Sequence, residues 1–258
     1  MSTLHSLASA LGVTAAMALV TWLVSLRRRD VSIVDSLWSL MLLAAGVTYA
    51  FTQPEQGVRA WIMLALCTVW ALRLCVHITV RNHGKGEDRR YQVIRERNQP
   101  HFELKSLYLV FGFQAVLATV VSLPLLGAVQ NASPLGWIDF AGMAVVSFGI
   151  TFEAVGDWQL ARFKADPANA GQVMDRGLWR YTRHPNYFGE CCVWWGFYLL
   201  AVEQAAWTVA GPILMTLLLL KVSGVSLLEK DIGERRPGYA SYIRRTNAFI
   251  PGLPRTDR

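Results

Sequence analysis

Residues 180–190 read RYTRHPNYFGE, and almost every side chain in that run can bind or move charge. Arg180 and Arg183 carry planar guanidinium forks, which suit the paired oxygens of a phosphate. His184 adds a potential cation. Asn186, Tyr187 and Glu190 can grip an amide or hydroxyls. Gly177 and Pro185 break regular structure, so the stretch reads as a loop running into a helix. A helix N-terminus attracts anions. Upstream, in FEAVGDWQLAR, Glu153 and Asp157 stand at i, i+4 and share one helix face, with Arg162 close behind. Two carboxylates on one face want a donor-rich partner; a ribose or an amide is one, a plain arginine salt bridge another. Together these residues could clamp a phosphate-bearing polar cofactor. They could equally form an interfacial anchor of arginines and aromatic rings.

A second set of charged residues lies inside apolar surroundings. Asp35 sits in VSIVDSLWSL. Arg73 and His77 sit in WALRLCVH at i, i+4. Ionisable residues within membrane segments are rare and usually face a cavity or a partner. The spacing makes an Asp35–Arg73 pair the natural expectation.

The elements that must position these groups are apolar. Only 17% of the 258 residues are charged, against about 25% in an ordinary soluble domain. The chain is 53% hydrophobic with 10 Trp. Seven apolar segments can be drawn, at 4–26, 31–51, 59–80, 106–128, 136–160, 188–204 and 206–228. Several reach the ~20 residues needed to cross a bilayer. The sequence therefore predicts an all-α, polytopic integral membrane protein with about seven transmembrane helices. The four cysteines show no metal-ligand spacing and read as small buried apolar residues. The first apolar run lacks a preceding basic region, so it reads as a retained helix and not a signal peptide.

Basic residues orient the helices. Of the 25 Lys and Arg, 22 fall between segments 1 and 2, 3 and 4, 5 and 6, or after 7; Arg59 stands alone on the other side. Excess Lys and Arg marks the cytoplasmic side. The N-terminus is then outside and the C-terminus cytoplasmic, as in a bacterial inner membrane. The net charge of +7 reflects this bias and not a nucleic-acid partner. No repeat or paired broken helix suggests an inverted-repeat transporter.

GLWRYTRHPNYFGE, preceded by FEAVGDWQLARFK and followed by LLEKDIGERRPGYASYIRRTNAFIPGLP, resembles the C-terminal domain of the steroid 5α-reductase family. VDSLWSL and GKGEDRRY are similar to the family's bacterial branch, so the likeness covers residues 30 to 253. It implies one membrane domain over residues 1–258. Helices 1–4 (1–130) would lie on the substrate side, and 131–258 would hold NADPH. The activity implied is hydride delivery to the β-carbon of an enone, typically a 3-oxo-Δ4 steroid. Glu153 and Asp157 fall where the family contacts the cofactor. Asn186 matches an asparagine on the nicotinamide side, and Glu190 the glutamate of the same motif. Tyr239, Tyr242 and Arg245 fall in a C-terminal cofactor region, with a one-residue gap. Asp35 falls near the glutamate that polarises the substrate. Where animal members pair that glutamate with a tyrosine, this chain has Trp70. Its indole N–H can hydrogen-bond but cannot donate a proton as a phenol does. His77 or Tyr91 is left to supply the acid.

Hydride addition builds charge on the enone oxygen, and a donor there lowers the barrier. Asp35 could donate only if protonated, which a nearby Arg73 opposes, so Asp35 is expected to orient a neighbouring donor instead. The substrate would be hydrophobic, steroid-like and drawn from the membrane lipid. Two rivals remain. One is an S-adenosylmethionine-dependent membrane methyltransferase of the isoprenylcysteine type, which has a similar RHP-x-Y-x-G run. The other is a lipid-binding or transport protein without catalysis.

Overall fold

A computed structural model describes residues 2–222, Val225 and 238–255. Among them every regular element is helical. Five helices are long and apolar enough to cross a membrane: α1 (Thr3–Arg28), α2 (Ile33–Phe51), α3 (Val58–Asn82), α5 (Phe102–Gln130) and α6 (Trp137–Ala165). A short polar helix, α4 (Arg89–Arg97), lies between α3 and α5. Shorter helices follow, among them α7 (Pro185–Leu199), the apolar α8 (Ala206–Lys221) and α9 (Tyr239–Arg245). The sixth expected segment therefore appears as a helix of 15 residues, below the ~20 of a straight crossing. The seventh ends beyond α8. Residues 223–224 and 226–228 of it, and EKDIGERRP (229–237) after them, lie outside the described residues.

Helix ends follow local chemistry. Ser2 caps α1 by accepting from the His5 amide at 3.3 Å, and Arg27 and Arg28 complement its C-terminal carbonyls. Asp88 caps α4 by accepting from the Arg90 amide at 2.9 Å. α7 opens on Pro185, whose missing N–H is no loss in a first turn.

The chain divides into two compact units. The first comprises Met1–Asp139 and Leu200–Gly211, the second Phe140–Leu199 and Pro212–Arg258. In the first, α2 packs against α1, α3 and α5. Its core holds Met41, Leu42, Tyr49, Met63, Trp70 and Leu125, all fully buried. Buried hydroxyls tie the helices where hydrocarbon alone gives no direction. Tyr49 and Ser122 share a hydrogen bond of 2.9 Å, and Ser39 donates to the Ala71 carbonyl at 2.8 Å. Leu11, Val20 and Leu23 on α1, and Val69, Leu72 and Val76 on α3, point outward, as lipid-facing residues must.

In the second unit, α6 and α7 touch backbone to backbone. A Cβ placed on Gly189 would stand 2.6 Å from the Glu153 amide nitrogen and 2.7 Å from the Gly149 carbonyl oxygen. One placed on Gly196 would stand 2.7 Å from the Val146 nitrogen. Small residues that let membrane helices approach this closely are a general route to their association. Gly189→Ala must push the two backbones apart, so it should cost about 1–3 kcal/mol as an overpacked contact. Gly12→Ala, which meets nothing within 4 Å, should be neutral or stabilising by about 0.5–1 kcal/mol. Unfolding in mixed micelles compares them directly. Equal stability of the two variants would refute the close seam.

Candidate functional site

The first unit builds a constellation around Asp35, in the first turn of α2. The Tyr91 hydroxyl, on α4, donates to Asp35 Oδ1 at 2.5 Å. Arg90 Nη2 donates to Asp35 Oδ2 at 2.6 Å. Arg90 Nε also reaches Asp88 Oδ1 at 2.9 Å. Each oxygen of Asp35 thus has its own donor. Tyr91 is 7% exposed. Burial, reinforced by the negative charge of Asp35, pushes its phenol well above its usual value of about 10. It therefore keeps its proton through the neutral range. Burial alone would weaken the Arg90 cation, but the carboxylates of Asp35 and Asp88 outweigh it and raise Arg90 further.

The partner of Asp35 is Arg90, where Arg73 was the expectation. Arg73 lies half-buried on α3, one turn beyond the fully buried Trp70. Ser39, one turn along α2 from Asp35, bonds the backbone of Ala71 beside Trp70. Sequence reasoning missed Arg90 because its partner Asp35 lies more than fifty residues away, and with it Asp88, which braces Arg90 locally. The visible signal was the run EDRRY, an acidic cap followed by arginines.

A second clasp holds α4 in place. Glu87 accepts from the Val31 amide at 2.9 Å and from Arg95 Nε and Nη2, each at 2.8 Å. Burial raises the Glu87 carboxyl, but the Arg95 and Val31 bonds overcome this and hold it below the usual range. A depressed carboxyl stabilises the fold above its unfolded value near 4.3 and loses that contribution as pH falls through the folded one. Protease resistance of residues 83–101 should therefore hold from pH 7 to about 4.5 and decline below it. Glu87→Gln should be weak at every pH, with a remnant of pH dependence from Asp88, which is also depressed. A wild-type profile flat to pH 3 would exclude this.

The second unit gathers most of the other candidates. Glu153 and Asp157 are 2% and 6% exposed on the face of α6 that meets α7. Glu190 and His184 are buried, and His184 stacks on Tyr187 with ring centroids 5.6 Å apart. Asn186 keeps its Oδ1 buried with no hydrogen-bond partner among the described residues. Buried carbonyl oxygens normally find a donor, so this one is open to a ligand N–H.

Other residues of the stretch brace the loop. Arg183 donates from Nη1 to the Thr246 and Ile243 carbonyls. Its amide donates to the Asn247 carbonyl at 2.9 Å. Thr182 Oγ1 donates to the Phe249 carbonyl at 2.7 Å. The Tyr242 hydroxyl donates to the Trp179 carbonyl, and the Trp179 indole to the Gly156 carbonyl at 3.0 Å. Tyr239 packs edge-on against Tyr242. Arg245 stands 3.5 Å from Asp175. Arg180 is exposed, and its carbonyl accepts from Thr246 Oγ1 at 3.3 Å. Arg162 lies over the Trp158 ring, 5.6 Å from its centroid. The run RYTRHPNYFGE is thus half brace and half candidate clamp.

A family model described as a protein of unknown function, DUF1295, matches residues 21–246. The chain belongs to the DUF1295 family. That match spans both constellations, the Asp35–Tyr91–Arg90 group and the Glu153–Asn186 group. An uncharacterized protein of the fission yeast Schizosaccharomyces pombe is similar to this DUF1295 chain. It is 26% identical over 262 residues, which cover 91% of this chain and 76% of the yeast protein. No solved structure matches the chain.

Proposed function

We propose that this chain is an NADPH-dependent membrane reductase. It would reduce the C=C bond of an enone in a hydrophobic, steroid-like substrate, with its polar loops and C-terminus in the cytoplasm. The observation that carries this reading is the Tyr91 phenol seated on Asp35 at 2.5 Å. The likeness to steroid 5α-reductases calls for a proton donor oriented by a carboxylate, and Trp70 could not supply one. Tyr91 can.

The cofactor fits the second unit. Asn186 Oδ1 is an orphaned buried acceptor suited to a carboxamide N–H₂. Glu153, Asp157 and Glu190 are buried carboxylates suited to hydroxyls or the same amide. Arg180, being exposed, is available to a phosphate. When bound, NADPH supplies the hydride. The protein's own part begins at the carbonyl oxygen of the enone. The single hydroxyl proton of Tyr91, which rests on Asp35 Oδ1, would turn to that oxygen as charge moves there. Asp35 holds the phenol in place until then, and Arg90 keeps the Asp35 carboxylate paired once the proton has turned away. A proton must then reach the α-carbon of the enolate, and the hydride ends on the β-carbon.

The test uses detergent-purified protein with NADPH, NADH or S-adenosylmethionine, and progesterone or testosterone as substrate. NADPH oxidation with a 5α-dihydro product is the expected result. Asn186→Ala should weaken NADPH binding by about 5–10-fold, the worth of one hydrogen bond. Binding of S-adenosylmethionine without NADPH binding would replace the reductase with a methyltransferase.

A further inference from the structure

Beyond α6 the chain folds back and builds a cavity of about 360 Å³. Its floor is apolar: Phe163 and Met174 belong to a small buried cluster with Trp179. Trp158, Arg162, Asn169 and Arg176 complete the lining. The loop that carries Arg176 is held by its own bonds. Asp166 accepts from the Ala168 amide at 2.9 Å, Asn169 Nδ2 donates to the Phe163 carbonyl at 3.0 Å, and Gln159 Oε1 accepts from the Leu178 amide at 2.9 Å. Gly177 has φ +58° and lies so close to Gln159 that a side chain would collide. Asp166 is the carboxylate of the lining, and it is engaged as a cap. Arg162 and Arg176 make no ion pair among the described residues.

Among the described residues the cavity thus presents two guanidinium groups that make no ion pair, beside one carboxylate engaged as a cap. It lies at the polar end of a helix long and apolar enough to cross a membrane. Trp158 is 57% exposed there. An exposed indole with a guanidinium over its face is suited to the headgroup layer, where an amphipathic ring has one apolar and one wet side. We propose that this cavity binds the phosphate of an anionic phospholipid headgroup. Arg162 and Arg176 would take the phosphate oxygens, Asn169 would reach the glycerol or headgroup hydroxyls, and the Trp158 ring would lie along the acyl-glycerol boundary. The proposal does not depend on the reductase reading, since the lipid would be bound whether or not NADPH is.

The full-length protein, stripped of lipid in neutral detergent, is titrated with phosphatidylglycerol or phosphatidylcholine. Binding is read from Trp158 fluorescence, isolated as the difference between wild type and Trp158→Phe, and from bound-lipid mass. Phosphatidylglycerol should bind more tightly than phosphatidylcholine. Arg162→Gln with Arg176→Gln, both at exposed positions, should lower phosphatidylglycerol affinity by about 10–30-fold, the worth of two surface cations facing anionic lipid. Phosphatidylcholine affinity should not change. Equal affinity for the two lipids, or no response to the double variant, overturns the proposal. Displacement of phosphatidylglycerol by inorganic phosphate or by NADPH, with NADPH binding lost in the double variant, also overturns it and assigns the cavity to a soluble phosphate ligand.

Discussion

Tyr91→Phe should lower kcat/KM for the proposed enone reduction by about 10²–10⁴-fold, the usual contribution of a positioned acid, while leaving the proposed NADPH binding intact. The hydroxyl is the only part of the side chain removed, and the ring stays to fill the same buried space. Asp35 keeps Arg90 as a partner, so its carboxylate is not stranded. With a half-buried carboxylate still paired, the variant should fold. Asp35→Asn should give a smaller loss, because the donor survives and only its aim suffers. Arg90→Lys should fall between wild type and Asp35→Asn. A lysine keeps the charge but cannot span Asp35 and Asp88 with one planar fork. The measurement is steady-state kinetics with product analysis. Wild-type turnover by Tyr91→Phe would remove Tyr91 from the chemistry and turn attention to His77.

The helical class and the shared face of Glu153 and Asp157 were legible in the sequence because both rest on local signals. Apolar run length announces a spanning helix, and the i, i+4 spacing of Glu153 and Asp157 places both on one face before any partner is known. Partner identity was not legible. Asp35 chose Arg90 over Arg73, and that choice depends on where a polar connection folds back, which no periodicity encodes. Arg183 shows the opposite misjudgement. Its type suited a phosphate, yet backbone carbonyls of residues 243–246 occupy Nη1. Loop carbonyls are invisible in a sequence because every residue has one. The glycine seam was hidden for a related reason. Gly149, Gly189 and Gly196 look like helix weaknesses until a second backbone fills the space each leaves.

Arg59→Met should destabilise the fold by about 3–5 kcal/mol, the typical consequence of breaking a buried pair from one side. By charge count Arg59 was the lone base on the face opposite the other cations. In the structure it is 1% exposed and fully engaged. Nε and Nη2 hold both oxygens of Asp139, at 2.6 and 2.8 Å. Nη1 donates to the carbonyls of Asn131 and Ser133 at 2.7 and 3.1 Å, and Nη2 to that of Pro134 at 3.3 Å. One guanidinium therefore closes the connection from α5 to α6. Methionine would leave Asp139 charged and buried, with only the Gly136 amide as donor at 2.8 Å, and would orphan three carbonyls. Arg59→Met with Asp139→Leu removes the stranded charge, so it should recover part of the loss but not the part owed to the carbonyls. A double-mutant cycle in mixed micelles separates the two contributions. If Arg59→Met and the double variant are equally unstable, the ion pair contributes nothing and the carbonyl bonds carry the whole effect. If the double variant matches wild type, the reverse holds. An intermediate value is the expected result, because the five bonds of Arg59 divide between a carboxylate and a backbone loop.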